Sequence, residues 1–349
     1  MTQWQFITQA RNGSAIADIA PDLTNVRMLF QLNQPGVITA TMNVNRSRAR
    51  RDATGGLMTG VHELKVYRDG TPIETVFALT KTDVTGDADN ITLNLEWQGI
   101  ACYLQDALVF PQSSAYSGTT LPWTWINTFQ SRTGGSYGFT QGTVTGTAPT
   151  RQKSIQNETS LFEAISDLAV SGASFDWNID TNRAYQEWHS QRGADNGLVL
   201  EPGVNVAGWS YSENTGPGEL VTDVYVNGPP GTQQVTASDS TARTTYGRRE
   251  AALGFFADFE ASGVSTGQLH YHANSAIAAR IAPSIIPQIQ LVKSHASIPW
   301  GSYWLGDTVT FRVRAGDYDF LNALYRVVQV DVGLDLELNE SVVLGVNAL

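Results

Sequence analysis

The sequence predicts a mainly β protein of the α+β class: two related antiparallel β-barrel domains with a small α+β segment between them. Three observations point there. Period-two alternation of apolar and polar residues dominates both ends of the chain, the middle holds the best-capped helical pattern, and a hairpin near the N-terminus is echoed near the C-terminus. With 349 residues, 42% apolar and only 16% charged, the chain can fill more than one core and lacks the charge load of a disordered one.

The first alternation sets Val26, Met28, Phe30 and Leu32 against Arg27, Gln31 and Asn33, and the second sets Ile38, Ala40, Met42 and Val44 against Thr39, Thr41 and Asn43. Pro35-Gly36 between them marks a turn, so the two read as a hairpin. Strand patterns over 61–68 and 73–84 flank Asp69-Gly70, a dipeptide that accepts positive φ and favours a tight hairpin. Ile91, Leu93, Leu95 and Trp97 add a further strand, and 1–110 reads as the first barrel.

Residues 111–202 read as an α+β connecting domain. A Gly/Ser/Thr-rich stretch surrounds a short helical pattern over 121–129, with Pro122 near its first turn. Ser160-Leu161-Phe162-Glu163 fits a capping box, the apolar spacing predicts a helix over 160–171, and Gly172 is placed to end it. Phe175, Trp177 and Ile179 then alternate, and a turn over 180–183 leads into a strand over 184–189.

Residues 203–349 read as the second barrel. A strand over 221–227 is stopped by Gly228-Pro229-Pro230-Gly231, because proline lacks the N–H that a central strand needs. A polar excursion runs to Glu250, Ser265 and Thr266 cap an inserted helix at about 266–281, and strands are expected at 309–313, 324–332 and 334–338. Gly60, the strand that follows, the turn at Asp69-Gly70 and the run to Asp83-Val84 are echoed by Gly306, its strand, Gly316-Asp317 and the run to Asp331-Val332. The echo is either an internal duplication or the common look of Gly-bounded hairpins.

Composition narrows the chemistry. The net charge of −11, with 8 basic against 14 acidic residues over 203–349, excludes a protein that grips nucleic acid by neutralising phosphates. Cys102 is the single cysteine, which excludes intrachain disulfides and thiolate clusters; it reads as a core residue of a protein made in a reducing cytoplasm. Residues 1–6 lack the pattern of a secretory signal, and no apolar run reaches the roughly 20 residues of a membrane span. The five histidines, at 62, 189, 270, 272 and 295, read as surface residues: His270 and His272 fall two apart on the expected helix and cannot chelate together. No nucleophile elbow, phosphate loop, dinucleotide fingerprint or zinc-protease motif occurs, so neither a catalytic residue, a metal nor a cofactor is expected. Trp97 and Trp177 fall on inward strand faces, and the nine tryptophans read as core or interface before sugar platforms. The dense basic cluster Arg46, Arg48, Arg50 and Arg51 is either a solvated loop or a docking element for an acidic neighbouring subunit.

Several short segments, taken in order, resemble the baseplate hub, or tail-associated, proteins of long non-contractile phage tails, and more distantly the contractile-tail hub and the base of the type VI secretion spike. They are 66–73, with Val66-Tyr67-Arg68-Asp69-Gly70, then 159–165 leading into Phe175-Asp176-Trp177, then Val224-Tyr225-Val226-Asn227-Gly228, Tyr246-Gly247-Arg248-Arg249-Glu250, Gly306-Asp307-Thr308-Val309 and Tyr325-Arg326-Val327. The resemblance implies two tube domains per chain and a virion structural protein of the tail tip, assembled in the host cytoplasm. It implies a homotrimeric ring that adapts a sixfold tail tube to a threefold tip. The implied partners are a distal tail ring protein, a tape measure protein and tip fibre or spike proteins, with DNA passing through the channel unbound during ejection. With the sequence ending at Leu349, any wall-degrading activity is expected from a partner. Two other readings are a hexameric distal-tail ring protein, which needs one barrel per chain, and a secreted carbohydrate-active enzyme or lectin, which needs an open carboxylate cleft.

Overall fold

Alternation at the N-terminal end becomes seven strands: β1 (Trp4–Ala10), β2 (Ala15–Asp18), β3 (Leu23–Gln31), β4 (Val37–Asn43), β5 (His62–Arg68), β6 (Thr71–Gly86) and β7 (Ile91–Gly99). They pair antiparallel in the order β2-β1-β5-β6-β7-β4-β3. In the computed structural model the described residues are 3–11, 13–43, 59–86, 91–111, 116–132, 137–148, 151–153, 155, 157–171, 175–189, 191–210, 213–214, 220–227, 234–254, 266–278, 284–285, 288–293, 295–315 and 318–348. Val26, Met28 and Phe30 of β3 are buried, as their alternation requires. Asp69 and Gly70 take φ of 51° and 79°, the paired positive values of a type I′ turn, whose twist matches that of the strands it joins.

The middle of the chain packs against the outer face of β6. It contains β8 (Leu108–Val109), β9 (Tyr116–Gly118), α1 (Leu121–Gln130), β10 (Thr140–Thr145), β11 (Arg151–Lys153), β12 (Thr159–Ser160), α2 (Leu161–Ser171), β13 (Phe175–Ile179) and β14 (Ala184–His189). At the start of α2 the Glu163 N–H donates to Ser160 Oγ at 3.1 Å, one arm of the expected capping box. Gly172 lies outside the described residues. Asp180 shapes the β13–β14 turn by accepting from the N–H groups of Asn182 and Ala184. Trp125, Ile165, Phe175 and Trp177 form this core together with Val76 and Ala78 of β6.

The rest of the chain supplies β15 (Asp195–Leu200), β16 (Val206–Ser210), β17 (Glu213–Asn214), β18 (Asp223–Asn227), β19 (Gln234–Ser238), α3 (Ser240–Tyr246), β20 (Glu250–Gly254), α4 (Thr266–Ala278), β21 (Ser284–Ile285), β22 (Gln288–Leu291), β23 (Thr308–Ala315), β24 (Tyr318–Leu334) and β25 (Glu340–Ala348). Two expectations are corrected. The stretch read as a polar excursion folds: β19 and β20 flank β18, α4 packs on β18 and β19, and Asp239 caps α3 by accepting from the Ala242 N–H at 2.7 Å. Its apolar face, Val235 and Ala237, is too short to stand out as periodicity. The strand expected at 334–338 is a turn. The Asp335 carboxylate accepts from the N–H groups of Glu337 and Asn339 at 2.9 and 2.8 Å, Leu338 takes φ 59°, and Leu336 is 77% exposed. Local side-chain to backbone bonding there outweighs the alternation of leucines. The closing strand is β25.

Strands β24 and β3 join the two ends of the chain, antiparallel, with Gln329 opposite Gln31 and Leu334 opposite Val26. Through this ladder the strands form a 13-stranded curled sheet over one continuous core, to which Phe30, Phe77 and Trp97 contribute from one half and Phe311, Tyr325 and Val330 from the other.

The hairpin echo is a real duplication. The first half runs β1-β5-β6-β7-β4-β3 across the sheet and the second runs β15-β23-β24-β25-β22-β16, the same order built from strands in the same sequence. Strands β1 and β15 differ, pairing antiparallel with β5 and parallel with β23 respectively. The long strands β6 and β24 each break register against the next strand, between Leu79 and Lys81 in one and between Val327 and Gln329 in the other, at positions the echo aligns. Gly60 donates its N–H to Leu79 O at 2.8 Å, and Gly306 donates to Val327 O at 2.7 Å. Both glycines have positive φ, 71° and 91°, and a Cβ on Gly306 would lie 2.2 Å from Arg192 O. Gly316-Asp317 lies outside the described residues.

Phe30 sits between Phe77 and Trp304, with ring centroids at 6.1 and 5.3 Å, and is fully buried beside the joining ladder. Phe30→Ala is expected to lower unfolding stability by about 3–5 kcal/mol, read by urea titration, because the cavity lies in a core shared by both halves.

Candidate assembly interface

A polar seam binds the middle segment to both halves. The Arg192 guanidinium clamps Glu74 of β6 with bonds of 2.6 and 2.8 Å, and Glu74 also accepts from Trp304 Nε1 at 2.5 Å and Asn178 Nδ2 at 3.0 Å. Asp176 of β13 accepts from Arg326 of β24 and from the Arg192 N–H. Asn33 Oδ1, just beyond β3, accepts from the Trp177 N–H at 2.8 Å. Asp307 accepts from the N–H groups of Ala194 and Trp304 at 2.9 and 2.8 Å. Carboxylate–guanidinium pairs of this geometry fix orientation, and breaking one strands the other charge in a poorly solvated place.

Another buried carboxylate, Glu63 of β5, accepts from Arg183 at 3.0 and 3.1 Å, from Gln9 Nε2 at 3.1 Å and from the Tyr103 hydroxyl at 3.1 Å. Burial pushes its carboxyl above the usual range and outweighs the lowering by Arg183. Glu63 therefore anchors β14 and the turn before it to β5. Burial pushes the Cys102 thiol up to about 12, so it stays protonated as a core residue.

The histidines are only partly as expected. His62 and His189 are not surface residues: His62 is buried on β5, and His189 Nε2 lies 2.7 Å from buried Glu187. His270 and His272 lie on α4, as expected. Among the described residues no group of three or more His, Cys, Asp or Glu is arranged to hold a metal ion. Trp4, Trp97, Trp125 and Trp177 are buried, in keeping with a core role.

A cavity of about 370 Å³ lies between β5, β22, β25 and the 295–303 loop, lined by Arg68, His295, Trp300, Tyr303 and Glu340 among others. Its guanidinium is already engaged: Arg68 bonds Glu340 at 2.8 and 2.9 Å and lies 4.5 Å from the Trp300 ring centroid. The cavity is a stitched seam between the halves.

Among the described residues the large sheet leaves edges open at β2, β15, β16 and part of β6. Strand β6 outruns β5, so residues 81–86 pair with β7 on one side and with no strand among the described residues on the other. Residues 83–86 are exposed, Val84 by 64%. Strand β16 is another edge, paired with β22 and bridged to Pro202 at Val206, and it carries Trp209, 39% exposed. Open edges of this kind are templates for another chain. Arg46, Arg48, Arg50 and Arg51 lie outside the described residues.

No family model matches the sequence, and no curated protein matches it. Solved structures do match. A 43 kDa tail protein of prophage MuSo2 from Shewanella oneidensis superposes with a TM-score of 0.67 at 11% identity, over 98% of this chain and 97% of that one. The chain has the fold of phage tail proteins. The tail protein from Neisseria meningitidis MC58 shares it with a TM-score of 0.65 at 10% identity, over 99% and 96% of the two chains. The Escherichia coli c3393 protein, a component of the type VI secretion system described as structurally similar to the T4 tail proteins gp27 and gp5, shares it with a TM-score of 0.54 at 10% identity, over 94% and 74%.

Within this tail-protein fold the seam residues carried no sequence signal, since Glu74, Asp176, Arg192 and Arg326 are ordinary charges scattered along the chain. The overhang of β6 left only a trace, a strand longer than the one it pairs with, and length does not say whether an overhang is covered. Glu74→Gln and Arg192→Met are each expected to cost about 3–5 kcal/mol in urea unfolding. The double variant should cost less than their sum, because it leaves no unpaired charge.

Proposed function

We propose that this chain is a non-enzymatic structural subunit of a phage tail: a baseplate hub whose three copies ring the DNA channel at the tail tip and adapt a sixfold tube to a threefold tip. The observation that carries the reading is the duplication. A chain with the tail-protein fold offers two half-sheets of one strand order, so three copies present six equivalent units toward a tube built from sixes and three toward a tip built from threes. Its partners on this reading are a distal tail ring protein, the tape measure protein and a fibre or spike. DNA passes without specific binding, in keeping with the acidic balance.

The duplicated halves favour this over a hexameric distal-tail ring, which needs only one such unit per chain. A carbohydrate-active enzyme needs free carboxylates facing a cleft, whereas Glu63, Glu74 and Asp176 are each held by an arginine. The Arg46 to Arg51 cluster is a docking element for an acidic neighbour on this reading.

Native mass measurement of the purified assembly is expected to give three copies. Six copies would favour the distal-tail ring, and a monomer at high concentration would remove the ring altogether. Incubated with host cell wall, the protein is expected to release no soluble fragments. Dose-dependent release lost on changing one carboxylate would overturn the non-enzymatic reading.

A further inference from the structure

We infer that copies of this chain join through their sheet edges, the open side of β6 in one copy meeting the end of β16 in the next, antiparallel, at Thr85–Gly86 and Trp209–Ser210. The inference rests on the ring reading for self-association and names the contact that makes it. The chain itself contains the template. Past the end of β23, the second-half strand β24 is covered by β3 of the first half along 329–334. Past the end of β5, the equivalent stretch of β6, 81–86, lacks such a cover among the described residues. The second-half equivalent of β3 is β16, and at Trp209 and Ser210 its outer side has no strand partner among the described residues, the Pro202 bridge lying at Val206.

The register follows from the ladders. Lys81 pairs with Glu96, Glu96 with Thr39, and Thr39 with Arg27. In the other half Gln329 pairs with Gly345, Gly345 with Gln288, and Gln288 with Ser210. Arg27 and Ser210 are therefore equivalent, and so are Val26 and Trp209. Arg27 lies opposite Gly333, and Gly333 is the equivalent of Thr85. The contact between copies thus sets Ser210 opposite Thr85 and Trp209 opposite Gly86.

Exposure agrees with this assignment. Val332 and Val26, at the internal ladder, are 0% and 2% exposed, whereas their equivalents Val84 and Trp209 are 64% and 39% exposed. Positions that are core where the ladder exists stand in solvent where it awaits a second copy. The contact is head-to-tail, since each copy uses a different edge at each end, and repetition of such a contact closes into a ring when its rotation allows.

The test uses the full chain, whose native Cys102 is buried. Directly opposed residues of an antiparallel pair have Cα atoms about 4.5–5.5 Å apart, within disulfide range, and diagonal neighbours lie beyond it. Thr85→Cys with Ser210→Cys is expected to give covalent oligomers under mild oxidation. Asp83→Cys with Ser210→Cys, two residues out of register, should give at least tenfold less. Val84→Lys, at a site exposed in the single copy, is expected to keep the wild-type melting profile and weaken association at least tenfold. An assembly of three by native mass in which the in-register pair links no better than the control overturns the edge pairing and leaves the ring reading standing. In-register linkage in an assembly of another size upholds the edge pairing and overturns the copy number. Unchanged assembly of Val84→Lys also overturns the edge pairing.

Discussion

The ladder between β3 and β24 is the constraint from which the rest of this structure follows. It pairs residues 26–31 with 329–334, so nearly the whole chain must be in place before it closes. Closing so large a loop costs conformational entropy that only a cooperative gain offsets, and here the gain is a core common to both halves. Phe30 contributes to that core from β3 and Val330 from β24, both fully buried. The two halves of the sheet consequently share one apolar interior.

Ladder hydrogen bonds set strand order but do not fix how a third body sits against a curled sheet. The seam built on Glu74, Asp176, Arg192 and Arg326 does. It draws one residue from each half and two from the middle segment into a network of charge-assisted bonds, whose geometry tolerates little rotation. Such networks contribute less to stability than their count suggests, because each buried charge must first be desolvated. Their effect is on orientation, and Glu63 with Arg183 repeats the device at another point of the same boundary.

The two halves share a plan and differ where they meet the outside. Between β3 and β4 the chain needs only a short turn, whereas between β16 and β22 it carries β17 to β21 with α3 and α4, and a small core of its own around Val224, Val226, Leu269 and Ala273. An insertion at a hairpin tip leaves the sheet intact, since the strands beneath it keep their partners. The internal bulges and the Gly60 and Gly306 bonds persist in both halves because they shape the sheet itself.

Local chemistry made much of this protein legible in its sequence. Alternation located β3 to β7 and most of β23 and β24, Asp69-Gly70 announced its turn, and Ser160 with Glu163 opened α2, because each depends on residues within a few positions of one another. Where two local signals competed, as at Asp335 against the leucines around it, the sequence left the outcome undecided and side-chain bonding to the backbone prevailed. The duplication was visible only as an echo, since hairpins of unrelated origin share glycine boundaries; strand order and matched bulges made it definite. Tertiary structure alone decided the seam and the open edges. Whether a carboxylate meets an arginine 118 positions away, or a strand edge is covered, depends on how distant segments pack, and no spacing along the chain records that.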